Sequence, residues 1–373
     1  MAFADDGIDE PSSHARSGGR SGAVDQCDVG FESNQITGEE RARDALSNDE
    51  NLHGDTTYDG VLGRPEWKPR GTRGGDDGES EQGMNDHSSL NPTWQGLAAR
   101  HVGGVIDAIQ SLAPRVWKVS GPKGIVVLKQ SSSAKAFRQE NEALHAWAER
   151  ARQSDVLSVP RLLESCERSE ERALVIEWVR SRKVPVDEEL LGRAGRALRL
   201  WHEIHEAGST DPLDPAEAMH ARAHHAAKTI EGLALSLQSR RHLASLMDDW
   251  TVFSGRPRVF CHRDFEPRNW LIDQADGFWL IDLEHARHDD WLADLVRLRE
   301  GLFAEAPQLE VAFFEGYGRQ LDDNDRLCLD RWEVLHALQT LAWAQRHDDH
   351  QFVKRARSRL NARLAEDGFP GFG

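Results

Sequence analysis

The sequence predicts an α+β fold of two lobes, a small antiparallel sheet followed by a larger and mostly helical body. Three observations predict it. Short apolar runs bounded by Gly and Pro cluster between residues 105 and 179, as the strands of a small sheet do. Helical spacing dominates from residue 192 onward. It is broken once, between residues 258 and 282, by short apolar runs that carry the most unusual polar residues of the chain.

In chain order, Met1 to about Ser89 is rich in Gly, Ser, Asp and Glu with almost no periodic apolar pattern, and residues 1–90 read as a disordered acidic tail. About 20 acids against about 8 bases place about −12 of the chain's −17 there, leaving the rest mildly acidic. Met84 is a candidate start, because Met84-Asn85-Asp86-His87 leads directly into Asn91-Pro92-Thr93-Trp94, where helical pattern begins. The first lobe is expected over 91–178 and the second over 179–373.

A helix is expected from Thr93 to Val102, with Gly103-Gly104 as its cap. A first strand near Val105 to Ser111 follows, then Val116 to Ser120, the turn Gly121-Pro122-Lys123-Gly124, and Gly124 to Gln130. Phe137, Glu140, Leu144, Trp147 and Ala151 make one helical stripe, with Glu142 pointing away from it. Ala173 to Val179 reads as a buried strand running into a linker. Helices are then expected over Gly192–Ala207, Ala216–Gln238, Arg240–Phe253, Trp332–Gln345 and Gln351–Ala365. His202 and His205 read as packed or capping residues, since a three-residue His spacing alone says little of a metal.

At 373 residues the chain allows one large or two modest domains. No basic patch points to nucleic acid. No apolar run approaches a membrane span, and the acidic amino terminus lacks a signal-peptide core. Cys27, Cys166, Cys261 and Cys328 form no CxxC pair, which suggests neither zinc nor a disulfide framework and fits a reducing cytoplasm.

The chemistry is concentrated in Val259-Phe260-Cys261-His262-Arg263-Asp264-Phe265-Glu266-Pro267-Arg268-Asn269-Trp270-Leu271-Ile272-Asp273, followed by Leu280-Ile281-Asp282-Leu283-Glu284-His285-Ala286. An HxDxxxxN pattern and then an apolar strand ending in Asp supply the groups that phosphoryl transfer from a magnesium nucleotide requires. In that reading Asp264 accepts the proton of the attacking hydroxyl. Asn269 and Asp282 offer oxygens to Mg²⁺, a hard ion that takes few protein ligands. Arg258 to Cys261, Asn269 to Asp273 and Phe278 to Ile281 read as strands, the last two joined by a hairpin turn at Gln274-Ala275-Asp276-Gly277 that brings Asn269 and Asp282 together.

With these motifs the chain resembles the aminoglycoside phosphotransferase and choline kinase-like small-molecule kinases, which share the bilobal fold of protein kinases. The family usually has Gly between its His and Asp, whereas this chain has Arg263. Asp282-Leu283-Glu284-His285-Ala286 and Asp294-Leu295-Val296 match its DxExA and DLA, and the resemblance spans roughly residues 94 to 365. It implies a kinase-like fold, ATP or GTP with Mg²⁺ as cosubstrate, and a small hydroxylated acceptor. A protein kinase proper is disfavoured, because no DFG, no APE and no room for an activation segment lie between Asp282 and Asp294.

Such a site needs a strand lysine on the nucleotide phosphates and a helix glutamate to hold it, here Lys129 and Glu140. The glycine-rich phosphate loop is missing, with only Leu112-Ala113-Pro114-Arg115 before Val116. By resemblance, backbone groups near Glu177 and Val179 form the hinge that pairs with the purine. His262 and Glu284 are candidates for contact with the acceptor or for support of the site. Acids at 266, 284, 289, 290, 322, 323, 325, 348 and 349 are candidates to draw a cationic, hydroxyl-rich acceptor such as an aminoglycoside. The expected activity is phosphate transfer to a hydroxylated antibiotic. The alternatives are a metabolite kinase of the choline, homoserine or sugar type, or a nucleotide-binding protein without catalysis.

Overall fold

The computed structural model describes residues 90–131, 133–150, 154–168, 171–204, 213–229, 240–241, 243–244, 249–346 and 350–365. The acidic tail with Met84 and Cys27, together with Ala151, His205, residues 230–239, Asp348 and Asp349, lies outside them.

Helix α1 (Pro92–Val102) starts where Asn91 accepts a hydrogen bond from Thr93 N and Pro92 fills the first turn, and it stops at Gly103, whose φ of 104° is left-handed. Five antiparallel strands follow: β1 (Ala108–Ala113), β2 (Val116–Gly121), β3 (Gly124–Ser131), β4 (Leu162–Arg168) and β5 (Glu171–Glu177). They lie in the order β1-β2-β3-β5-β4. Trp94 and Leu97 of α1 pack with Trp117, Val119, Val126 and Leu128 on one face of this sheet. Helix α2 (Ala134–Arg150) lies against the other face, where Phe137, Leu144 and Trp147 join the main core with Val127 and Ile176. The expected stripe is the buried one, and Glu142 is exposed. Strand β4 is unforeseen: it is an edge strand with a register shift between Leu162 and Glu164 and no clean in-out alternation to reveal it.

Past β6 (Ser181–Arg182), helix α3 (Glu188–His202) is capped by Asp187, which accepts from Leu190 N, and helix α4 (Pro215–Thr229) follows. Strands β7 (Arg258–Cys261), β8 (Trp270–Asp273), β9 (Phe278–Leu280) and β10 (Arg287–Asp290) then form two small sheets, β10-β7 and β6-β8-β9. Phe253 ends a short 3₁₀ turn, Thr251–Phe253, rather than the helix expected to reach it. Asn269 likewise sits in a 3₁₀ turn before β8, not in the strand.

A short helix α5 (Val296–Leu298) runs into a π-helical turn, Arg299–Phe303, then α6 (Pro307–Tyr317), α7 (Asp323–Arg346) and α8 (His350–Ala365) complete the body. Helix α7 begins nine residues before the expected Trp332, because its first turns carry Asp and Arg rather than an apolar stripe. Helix α6 was not expected, and it packs closely on α3: a Cβ at Gly316 would strike the backbone of Gly192, and one at Gly195 that of Phe313. Leu198, Trp201, Phe265, Phe313, Leu335 and Leu338 of the main core are each at most 1% exposed, and the β7–β10 segment packs on this core through Phe260, Trp270, Phe278 and Leu280. Among the described residues no helix is long and apolar enough to cross a membrane.

Candidate active site

Two-residue alternation along β3 puts Val127 and Lys129 on the face turned toward the helical body, where both line a cleft. Ile176, Val179, Leu271 and Ile281 give the cleft apolar walls, while Lys129, Glu140, Arg268 and Asp282 give it a polar end. Lys129 Nζ stands 2.9 Å from Glu140 Oε2, 2.5 Å from Asp282 Oδ1 and 3.1 Å from Glu284 Oε2. Strand, helix and motif loop therefore meet at one ammonium group. Burial would lower the Lys129 pKa, but its three carboxylates outweigh burial and raise it. One ammonium cannot balance three buried carboxylates. Burial therefore pushes Glu140 up to about 7 against the pull of Lys129. Glu284 also rises with burial, whereas Asp282, hydrogen-bonded to the lysine, falls despite it.

The second centre lies on the loop after β7. Asn269 Nδ2 donates to the Asp264 carbonyl and to Asp264 Oδ2, both at 2.8 Å, which leaves the asparagine oxygen as its ligand side. Ile281 N donates to Asn269 O at 3.1 Å, so the β8–β9 hairpin holds Asn269 beside the residue that precedes Asp282. Asp282 itself has a φ of 64°, a left-handed backbone that aspartate tolerates better than most side chains. Asn269 and Asp282 are hard oxygen donors, and the lysine cluster sets three carboxyl groups against one ammonium. This donor set fits Mg²⁺.

Arginines that the sequence did not single out cover Asp264. Arg268 Nη2 lies 2.9 Å from Asp264 Oδ2, and Arg297 Nε of α5 lies 3.1 Å from Oδ1. Both also reach Glu266 Oε1 at 2.9 Å. Burial would raise the Asp264 pKa, but Arg297 and Arg268 hold the carboxyl well below its usual range. Arg297 could not have been found from sequence spacing, since it enters from a helix 33 positions further on.

His262 is fully buried and does not face an acceptor: its Nε2 meets Ile281 O at 3.0 Å and its Nδ1 accepts from Asp264 N at 3.2 Å. It ties the loop of Asp264 to the strand of Asp282. Asp294, the acid of the DLA motif, accepts from His262 N at 2.9 Å and from Arg263 N, and it also holds His202 Nε2 at 2.9 Å. His202 Nδ1 meets Tyr317 Oη at 2.8 Å. His202, Asp294 and Cys261 have ligand atoms within 4.8 Å of one another. With both ring nitrogens of His202 engaged, the trio braces the loop.

Other expected site residues fall elsewhere. Glu284 lies on Lys129 rather than at an acceptor mouth. Glu177 and Val179 line the cleft, but Glu177 N–H is taken by Arg161 O at 2.9 Å. Trp178 between them also lines the cleft, and Lys118 Nζ stands over its ring at 4.5 Å. Where a glycine-rich loop would stand there is a tight β1–β2 turn, with Arg115 at a φ of 63° in the conformation glycine would favour. Asp289, Asp290 and Asp325 do not form an acidic mouth for a cation: they are buried against Arg222 and Arg263, Arg256, and Arg256 with Arg319 respectively.

The two lobes, the lysine–carboxylate cluster between them and the aspartate–asparagine loop define a kinase-like site. The chain belongs to the phosphotransferase enzyme family, whose model matches residues 106–332. Among solved structures it is similar to a putative fructosamine-3-kinase from Haemophilus somnus, at 13% identity and a TM-score of 0.56 over 74% of this chain and 100% of the other. A choline/ethanolamine kinase family protein from Mesorhizobium loti gives 17% and 0.55 over 74% and 95%. The GDP complex of aminoglycoside 2'-phosphotransferase-IIIa gives 14% and 0.55 over 74% and 98%. At these identities the likeness is one of fold. No curated protein matches the chain.

Proposed function

We propose that this chain transfers the γ-phosphoryl group of ATP or GTP to a hydroxyl of a small molecule in the cytoplasm. Residues 91–178 form the nucleotide lobe and residues 179–373 carry the catalytic loop and the acceptor site. The observation that carries this reading is the convergence of Glu140 and Asp282 on the Lys129 ammonium, at 2.9 and 2.5 Å, beside an apolar cleft and near the Asp264–Asn269 pair.

In this reading the apolar walls take the purine, with the backbone near Val179 at its edge, and Lys129 grips the phosphates while Glu140 fixes the ammonium. Asn269 and Asp282 would hold Mg²⁺, which when bound supplies charge neutralisation at the phosphates. Asp264 orients the acceptor hydroxyl and takes its proton. Because its carboxyl is held ionised by Arg297 and Arg268, positioning contributes more here than basicity. The acceptor class favoured is a hydroxylated antibiotic of the aminoglycoside kind, with choline-, homoserine- or sugar-type metabolites as the runner-up. The structural neighbours named above include proteins of both classes.

The test is acceptor-dependent nucleotide turnover by the purified full chain with Mg²⁺ and ATP or GTP, against a panel of aminoglycosides, other hydroxylated antibiotics, choline, homoserine and sugars. Asp264→Asn should lower turnover on the productive acceptor by on the order of 10²- to 10⁴-fold while leaving nucleotide affinity within a few-fold. Magnesium-dependent nucleotide binding with no turnover on any acceptor would move the reading to a binding protein.

A further inference from the structure

We propose that Arg268 is a second phosphate-binding cation of the site, which turns from Asp264 to the transferring γ-phosphoryl group when nucleotide binds. The inference rests on the phosphotransferase reading above and gives Arg268 a task beyond its contact with Asp264.

Four observations carry it. Arg268 lines the same cleft as Lys129 and Asp282, and the Asp282 carboxylate is near enough to act on its guanidinium, so it borders the space that phosphates would fill. Its Nη2 alone makes the contacts with Asp264, at 2.9 and 3.1 Å, and with Glu266, at 2.9 Å. Its Nε is buried and has no hydrogen-bond partner, an arrangement that is unfavourable until an acceptor arrives. Its side chain is 38% exposed, against 5% for the Asp264 it touches, which gives it room to move that the aspartate lacks.

Charge makes the same case. Asp264 has a second guanidinium in Arg297 and an amide in Asn269, so it stays ionised and oriented when Arg268 leaves. The short hairpin at Pro114–Arg115 brings no glycine backbone to the phosphates, and β3 supplies only Lys129 from the sheet side. A planar guanidinium satisfies phosphate oxygens in pairs, which a lysine cannot do. During transfer the bond between the γ-phosphorus and the β,γ-bridging oxygen breaks, and its electron pair leaves on the nucleoside diphosphate. The acceptor oxygen forms the new P–O bond and its proton passes to Asp264. Turned from Asp264, Arg268 stabilises charge on the equatorial oxygens of the group in flight.

The discriminating measurement is calorimetric affinity of the full chain for a non-hydrolysable ATP analogue and for ADP, each with Mg²⁺, in wild type, Arg268→Ala and Arg268→Lys. Arg268→Ala should weaken the ATP analogue by about 10-fold or more relative to ADP, with Arg268→Lys between it and wild type. On the productive acceptor, kcat should fall by on the order of 10²- to 10³-fold at every pH assayed. If Arg268 merely holds Asp264, ATP analogue and ADP will weaken equally or not at all, and the acidic limb of the rate profile will move up in pH; either result overturns the proposal. A wild-type chain that binds neither nucleotide overturns the phosphotransferase reading, and this inference with it.

Discussion

Arg263 occupies a position where the backbone favours glycine: its φ is 71°, a left-handed conformation that strains a side chain with a Cβ by about 1–3 kcal/mol. The strain is held by its surroundings. Asp294 takes the Arg263 N–H, the guanidinium pairs with the buried Asp289, and it lies 5.1 Å from the Trp332 ring centroid. Glycine at 263 would release the strain but withdraw one guanidinium from a buried carboxylate, a loss of about 3–5 kcal/mol when a buried pair is broken outright. Because Arg222 also binds Asp289 at 2.8 Å, part of that loss is absorbed. Arg263→Gly should therefore lower stability by about 2 kcal/mol in urea unfolding, the difference of those two effects. A glycine variant more stable than wild type would show that strain, and not the ion pair, dominates this loop.

At the scale of elements, α2 exists to present Glu140: its apolar stripe is buried on the sheet, and Glu140 falls on that stripe at 2% exposure. Glu140→Gln keeps the shape but removes the charge that fixes Lys129, so the ammonium can drift toward Asp282 and Glu284. The expected result is a kcat/KM for nucleotide lower by on the order of 10²-fold, since small misplacements of such groups are amplified in the rate. Equal kcat/KM in the variant would mean that Asp282 and Glu284 orient the lysine without it. Lys129 and Glu140 were legible because each obeys the period of its own element, two for the strand and about 3.6 for the helix. The β8–β9 hairpin was legible because Asp276-Gly277 announces its turn. Strand β4 and helix α6 were not, since a bulged edge strand lacks alternation and α6 is apolar nearly all round. Nor was the pairing of β10 with β7, because Arg287-His288-Asp289-Asp290 reads as a charged loop until Arg222 and Arg263 are brought to it by the fold.

Across the whole molecule, buried ion pairs tie the helical body together where apolar contacts alone do not reach. Asp289 joins α4 through Arg222, the catalytic loop through Arg263 and its own strand through Arg287, whose Nε lies 3.6 Å away. Asp290 and Asp325 share Arg256 in the same way. Burial alone would raise the Asp289 pKa, but Arg222, Arg263 and Arg287 together hold it well below the ordinary carboxylate range. A carboxyl whose folded pKa is depressed contributes stability that is complete above its unfolded pKa, about 3.9, and is lost as pH falls toward the folded value. Other buried acids here, among them Glu140 and Glu284, shift upward and act in the opposite sense, so total stability against pH would mix the two signs. The difference between wild type and Asp289→Asn separates them. At pH 7 and pH 5 the variant should be less stable by the same amount, about 3–5 kcal/mol, because the arginines lose their shared carboxylate. At pH 3 the gap should narrow by about 1 kcal/mol, since the unfolded chain then binds a proton that folded Asp289 refuses. Urea midpoints at the three pH values decide it: a gap unchanged at pH 3 would place the folded pKa of Asp289 near its ordinary value and remove this residue as the ionic centre of the lobe.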